Sequence, residues 1–498
     1  MNTKLVFIIF STMSSVAAHL PARQDTVRIT LDEAIHRAAS QSVDAVVARN
    51  EYVSSYWEYR TYKSELLPEL AFNGTLPYYT KSYNSYQNPD GSYNYVASDY
   101  SQLDATLSAT QNLPWTGGKL SFESSAQKLT QYGEDKGTKW KAIPYALTLE
   151  QPLFGFNSLG WKKRIEPVKK KEAEQKLVAA IEETSTTLIS HYFNLLLAKA
   201  NKETAVQNLE NTQKLYKIAE ARFKIGQVSE SELLQLKVGM LNAESELVNA
   251  EAALNARMFE LRSFLGYEDD VVVEPVIPQF ATQQIPVLAY SEVLDWATQN
   301  NAFTQNIQRR MLESERDVSK AKAARWNISL YASVGRVGQD SSWRNAYNPN
   351  YMKDNQVVQV GIKIPIVDWG KRKGQVKIAE ANREVVNSKM QKEQRDFNQQ
   401  IFLTVQNFNN QPKQLAVAQE TDTIARKRYQ TCVEAFVLGK MDVLNLNDAQ
   451  SAKDIARRNW IQQLFSLWSY YYQIRSLTLY DFIEKKQLAV NYNDFVKN

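Results

Sequence analysis

The sequence predicts a mixed fold: all-α arms joined to a membrane β-barrel, in a chain built from a duplicated long-helix and β-hairpin repeat. Three observations predict it. Pro152-Leu153-Phe154 and Pro365-Ile366-Val367 each close an alternating, strand-like run and stand 213 residues apart, and Phe223-x-x-Gly226 and Phe436-x-x-Gly439 follow them at the same spacing. Between Pro167 and Gly226 there is no Pro or Gly, and Ile181, Leu188, Leu195, Leu209, Tyr216 and Phe223 recur every seven residues, interrupted at Lys202. That is a coiled-coil seam. The N-terminus has the parts of a secretory leader over residues 1–18: Lys4, the apolar stretch Leu5 to Phe10, and the small-residue site Val16-Ala17-Ala18.

The first repeat covers residues 19–286. Thr30-Leu31-Asp32-Glu33-Ala34-Ile35 reads as a capped amphipathic helix that continues to about Leu67, where Pro68 stops it. Strands follow over about 69–153, with alternation in Glu69 to Leu76, in Gln102 to Thr110 and at Tyr145, Leu147 and Leu149. Residues 115–142, opening on Trp115-Thr116-Gly117-Gly118 and continuing through Leu120 and Phe122, read as an additional hairpin, and the sequence leaves open whether it joins the barrel wall. Seven tyrosines between Tyr78 and Tyr100 surround Asn88-Pro89-Asp90-Gly91, as either a solvated hairpin loop or the aromatic girdle of a barrel. A long helix over about 157–223 comes next, on the order of 100 Å at 1.5 Å per residue. Ser229-x-x-Glu232 is a capping box for a third helix to about residue 266, and a polar link, 267–286, joins the halves.

The second repeat covers 287–498. Ser291 is the expected cap of a helix reaching Arg325, with Leu294, Trp296 and Ala297 on its apolar face. Strands follow over about 327–367, then a long helix over about 371–436 whose seam is Ile401, Phe408, Leu415, Tyr429 and Phe436, with Asp422 as the polar interruption. Pro412 is expected to bend that helix without ending it. Asp442 occupies the cap position of the last helix, about 442–480, before a C-terminal tail.

Of the 498 residues 44% are hydrophobic and 23% charged, the balance of a folded protein, and a net charge of +5 at this length implies no nucleic-acid partner. The basic runs Lys162-Lys163-Arg164, Lys169-Lys170-Lys171 and Lys371-Arg372-Lys373 read singly as solvated helix starts; their place just after each proline-closed strand adds weight to a membrane-surface role. Cys432 is the single cysteine, so no internal disulfide forms, and a packed helix residue is expected. His19, His36 and His191 have no metal-ligand spacing, and no phosphate-cradling loop or convergent catalytic set is present. Neither an enzyme nor a cofactor is expected, and energy for any transport must come from a partner.

Open strand edges and long unsupported helices call for pooling between copies. Here the chain resembles the TolC-like outer-membrane efflux proteins, the outer membrane factors. The residues that carry the resemblance are the duplication itself, Gln151-Pro152-Leu153, Ile364-Pro365-Ile366-Val367-Asp368-Trp369-Gly370, and the tips Phe223-Lys224-Ile225-Gly226 and Phe436-Val437-Leu438-Gly439. The resemblance implies a homotrimer in outer-membrane lipid, with four strands per chain in a trimeric 12-stranded or larger β-barrel. A periplasmic α-helical barrel would continue it. It further implies that the tips, represented by Phe223, Gly226, Ser229, Phe436, Gly439 and Asp442, dock a periplasmic adaptor protein joined to an inner-membrane pump. The family's constriction has two acids, six and nine positions after the second tip glycine; here these are Asn445 and Asp448, so only the second acid is kept. Glu232 takes the first acid's place in the first repeat, where its capping box explains it equally well. Asp448 reads either as a pore carboxylate or as a solvated helix residue. The rival class is an exported coiled-coil stalk or adhesin. Cargo is not legible in the sequence.

Overall fold

The structure is a computed structural model that describes residues 26–132, 136–268, 270–278, 285–363 and 367–496. The leader and the strand closure at Pro365 lie outside the described residues. In chain order, β1 (Thr26–Ile29) leads to α1 (Leu31–Gln41) and α2 (Val43–Ser64). Four strands follow: β2 (Glu69–Gln87), β3 (Tyr93–Leu113), β4 (Gly118–Gln131) and β5 (Gly137–Leu153). Helices α3 (Ser158–Lys224) and α4 (Glu230–Phe264) and strand β6 (Val272–Pro275) complete the first half. The second half runs α5 (Tyr290–Asn300), α6 (Ala302–Ala323), β7 (Asn327–Asp340), a short α7 (Trp343–Ala346), β8 (Lys353–Lys363), α8 (Lys371–Val437) and α9 (Val443–Thr478). A small hairpin, β9 (Tyr480–Asp481) with β10 (Lys486–Gln487), closes the chain.

Helices α3 and α8 each have 67 residues and start 213 positions apart. Helix α8 continues through Pro412. The chain divides into two compact units: Met1–Val46, Ile181–Val287 and Asn407–Gln473 form one, and Val47–Ala180, Leu288–Gln406 and Ile474–Asn498 the other.

The second of these units holds a six-stranded antiparallel sheet in the order β2-β3-β4-β5-β7-β8. Within 115–142, Gly118–Gln131 and the start of β5 from Gly137 are therefore sheet, and the described sheet has six strands where the resemblance implied four per chain. The tyrosine-rich stretch is also mostly strand. Only residues 88–92 turn, with Gly91 at φ +86°, because Tyr alternating with Ser and Asn suits a pleated strand better than a loop. Pro77 and Pro144, which have no amide to donate, fall in β-bulges, between Thr75 and Tyr78 on β2 and between Ala142 and Tyr145 on β5.

The predicted continuous first helix of each repeat is two helices. The break falls at Ser42 in one copy and at Asn301 in the other. Thr30 makes the expected capping box with Glu33, but Ser291 caps nothing: it lies within α5, whose N-cap Ala289 has no side-chain bond. Asn301 instead caps α6, its side chain accepting from the Phe303 amide at 2.9 Å. In α3 the buried stripe leaves the seven-residue line. Leu188 and Leu195 are buried on it, but further on Ala205, Leu215 and Ala219 are buried in place of Leu209, Tyr216 and Phe223. A straight helix of 3.6 residues per turn drifts about 20° per heptad, and here the drift decides which residues pack.

Within the other unit, β1 pairs in parallel with β6, and the buried Tyr192 hydroxyl locks the pair. It lies 2.9 Å from the Ile29 carbonyl and 2.6 Å from that of Val276, and it accepts from the Val276 amide at 2.9 Å. Burial pushes the phenol up to about 12. Asp422, the polar interruption of the second seam, is buried and paired with Arg426 at 3.0 Å and Arg457 at 3.6 Å.

In the sheet-bearing unit the corresponding buried charge is Glu172 on α3, which receives Arg309 at 2.6 Å, Lys176 at 2.7 Å and Asn306 at 2.9 Å. Burial alone would raise its pKa. The bonds from Arg309, Lys176 and Asn306 outweigh that and hold it below its ordinary value. A lowered carboxylate contributes stability above the ordinary value of 4.5 and loses it as pH falls through the folded value. Arg309→Ala, which strands a buried carboxylate, is expected to destabilise the protein by on the order of 3 kcal/mol at neutral pH. The loss should shrink on acidification below 4.5, as read by thermal unfolding at several pH values.

Candidate functional site

The two helix tips meet around a shared apolar core. Leu215, Ala219, Leu236, Tyr429, Cys432, Phe436, Val443, Leu446 and Ala449 form it, so Cys432 is the packed residue expected. Each tip turn is closed by a pair of backbone bonds. Gln227 N–H donates to Arg222 O and Gly226 N–H to Phe223 O, and Lys440 N–H donates to Ala435 O and Gly439 N–H to Phe436 O. This motif needs a left-handed residue at its glycine, and φ is +72° at Gly226 and +74° at Gly439. Arg222 then ties tip to tip: its guanidinium donates to the Phe436 carbonyl at 3.2 Å, as a second donor beside the Gly439 amide, and to the Val437 carbonyl at 2.5 Å at the end of α8. A groove of about 660 Å³ lies beside this clamp, lined by Arg222, Glu232, Phe436, Gly439 and Asp442.

The predicted site residues fall into three roles. Ser229 and Glu232 form a reciprocal capping box at 2.9 and 3.2 Å, and the Ser229 backbone and hydroxyl donors hold the Glu232 carboxyl below its ordinary value. Asp442 caps α9 by accepting from the Asn445 amide at 2.7 Å and its side chain at 3.0 Å. Glu232 and Asn445 thus occupy matching cap positions. Asp448 is exposed and accepts from Arg428 at 2.6 Å, which partly neutralises it. The two tip phenylalanines differ: Phe436 is 5% exposed within the core, whereas Phe223 is 40% exposed. The apolar side chains the tips do present are Ile225 and Leu438, matching residues 68% and 69% exposed. Both immediately precede a tip glycine, a signal present in the sequence but not used. Arg222 and Arg428 carried no local signal.

The sheet offers a second functional surface. Register places Leu70 and Phe72 of β2, Leu107 and Ala109 of β3, Phe122 of β4, Leu147 and Leu149 of β5, Leu330 and Val334 of β7, and Val358 and Val360 of β8 on one face. Phe72, Phe122, Leu147, Val334, Val358 and Val360 are all exposed. The opposite face carries Asn73, Thr106, Ser125, Thr148 and Ser333, with the charges Asp104, Glu123 and Lys141. Exposed Trp115, Phe154, Trp326 and Trp369 stand at the end of the sheet nearest the helix junctions. Four of the cations after β5 are paired within the chain: Lys162 with Glu65 at 2.6 Å, Arg164 with Glu315, Lys169 with Glu58, and Lys170 with Glu174. Among the described residues no helix is long and apolar enough to cross a membrane.

An antiparallel sheet with one lipid-like face, one polar face and an aromatic rim defines a membrane-wall protein. The outer membrane efflux protein family model matches residues 99–267 and 299–478, and the chain belongs to that family. It is an outer-membrane protein of the TolC-like efflux channels. No curated protein sequence matches it. Among solved structures it resembles the CmeC outer membrane channel of Campylobacter jejuni, at 16% identity and TM-score 0.64 over 94% of this chain and 88% of that one. CusC matches at 14% identity and TM-score 0.62, covering 90% and 91%. The outer membrane protein VceC of Vibrio cholerae matches at 16% and 0.57, covering 90% and 95%.

Gly439→Val puts a β-branched side chain at φ +74°, a strain of roughly 1–2 kcal/mol. Hydrogen exchange at residues 436–446 is expected to accelerate about tenfold, while Arg222→Ala accelerates exchange in both tips together.

Proposed function

We propose that this protein is the passive outer-membrane duct of a tripartite efflux or secretion system. Three copies pool their strands into a closed barrel and their helices into a periplasmic tunnel, and the tips dock a periplasmic adaptor joined to an inner-membrane pump. The observation that carries this reading is the exposed apolar face that runs through all six strands opposite a polar one. In water that face is a liability; in lipid it is the favoured state, at about 25 cal/mol for each Å² removed from water. A coiled-coil stalk gives it no purpose.

The tips supply the docking surface. Ile225 and Leu438 offer apolar contact at the two turns, and the Arg222 clamp presents them together. Asp448 from three copies would set three carboxylates near one axis and attract cations, tempered by Arg428. On this reading the duct is passive, and the pump supplies both drive and choice of cargo.

Purified trimer in a planar bilayer is expected to conduct poorly until the tips are loosened, with Arg222→Ala raising conductance. Arg428→Ala, which frees Asp448, should deepen divalent-cation block by several-fold, and Asp448→Ala should abolish it. Absence of any conductance in every variant rejects the duct, and block that ignores both substitutions removes Asp448 from the pore.

A further inference from the structure

On the reading above, we infer that the two additional strands of the first repeat, β4 of the 115–142 segment together with β3 before it, are part of the barrel wall. Each chain then supplies six strands, and three copies close an eighteen-stranded barrel in which β8 of one copy pairs with β2 of the next. At equal strand tilt this barrel is about half again as wide as a twelve-stranded one, in the range where barrels enclose an open aqueous channel.

The size of the insertion follows from counting. Residues 65–157, 93 in all, separate α2 from α3, against the 47 of residues 324–370 between α6 and α8. The excess equals two long strands and their turns. If that hairpin were a plug or an external flap, its two faces would have no reason to follow the rest of the sheet. They do follow it over the half next to the β3–β4 turn: Leu107 and Phe122 stand in the apolar row with Leu147, and Thr106 and Ser125 stand on the polar side, while toward the other end Lys128 joins the apolar row beside Trp140.

The turn between β3 and β4 is also built into the foot of the sheet. Asn157, at the start of α3, donates to the Pro114 carbonyl at 2.8 Å, and Gln151 of β5 donates to the Thr116 carbonyl at 3.1 Å. Gly117 has φ +73° and lies so close to Asn157 that an added Cβ would come within 3.1 Å of it. Closure between copies is stereochemically open as well. Six alternating strands leave β2 and β8 antiparallel at the two edges, so the junction between copies repeats the pattern within each.

The test uses single cysteines in a Cys432→Ser background. Thr106→Cys and Ser125→Cys are expected to react with a charged, water-soluble maleimide at least about tenfold faster than Leu107→Cys and Phe122→Cys, because the first pair faces the lumen and the second lipid. Cryo-electron microscopy of the unmodified trimer is expected to resolve six strands per copy in the wall. Equal labelling at all four positions, or four strands per copy in a trimer that sits in the outer membrane, overturns this inference and leaves the duct standing. Failure of the unmodified chain to enter the outer membrane overturns both.

Discussion

The constraint on which the structure depends is that every backbone amide and carbonyl of a membrane wall must be paired while alternate side chains keep to one face. Between neighbouring strands of the sheet both conditions hold across two bulges that reset the phase. On β2 the apolar set is Leu70 and Phe72, and after the bulge at Pro77 Tyr79, Lys81 and Tyr83 take that face while Tyr78, Thr80 and Ser82 take the polar one. On β5 the bulge at Pro144 carries Ala142 and Trp140 onto the face of Leu147 and leaves Lys141 and Lys139 on the polar one. Without that extra residue, both lysines would turn toward the apolar side. Proline is tolerated at these two points because the bulge leaves its position without a ladder bond to make.

The helical arms obey a different rule. A fixed rise per residue converts equal counts into equal lengths, and α3 and α8 are equal at 67 residues. The two tips close with the same glycine turn and differ in how the next helix is capped and in what they pack. Phe436 fills the shared core while Phe223 is left half out, and Arg222 reaches from the first tip to the carbonyls of the second. A clamp on main-chain carbonyls does not depend on the partner's side chains. It couples the tips while leaving Ile225 and Leu438 exposed.

What the sequence disclosed follows from which signals are local. Glycine at a tip and Ser229 three residues before Glu232 act through neighbouring backbone, so both were readable. A seven-residue period is local too, but which residues of α3 pack depends on accumulated twist, and Ala205, Leu215 and Ala219 took the place expected for larger side chains. The breaks at Ser42 and Asn301 lack proline or glycine, so nothing in the pattern announced them. Asn301 is held by tertiary bonds: its side-chain amide donates to the Leu477 carbonyl at 2.9 Å. Strand number was the largest shortfall. Tyrosine and asparagine in alternation satisfy turn and strand preferences alike, and only the pairing of β2 with β3 separates the two.

That shortfall also explains why the sheet can vary where the helices cannot. Each strand reverses the chain, so adding one strand would send α3 away from the wrong end of the sheet, whereas adding two restores its direction. Insertions into the sheet are thus allowed in hairpins and forbidden singly. The inserted hairpin obeys this parity, and its turn at Pro114 to Gly117 returns to the level of the helix junctions, where Asn157 receives it. Helix length has no such freedom, because lengthening α3 alone would carry Arg222 past the carbonyls of Phe436 and Val437 that it must reach. Duplication supplied two arms of equal length, and the physics of the two elements decided which part of each copy was free to change.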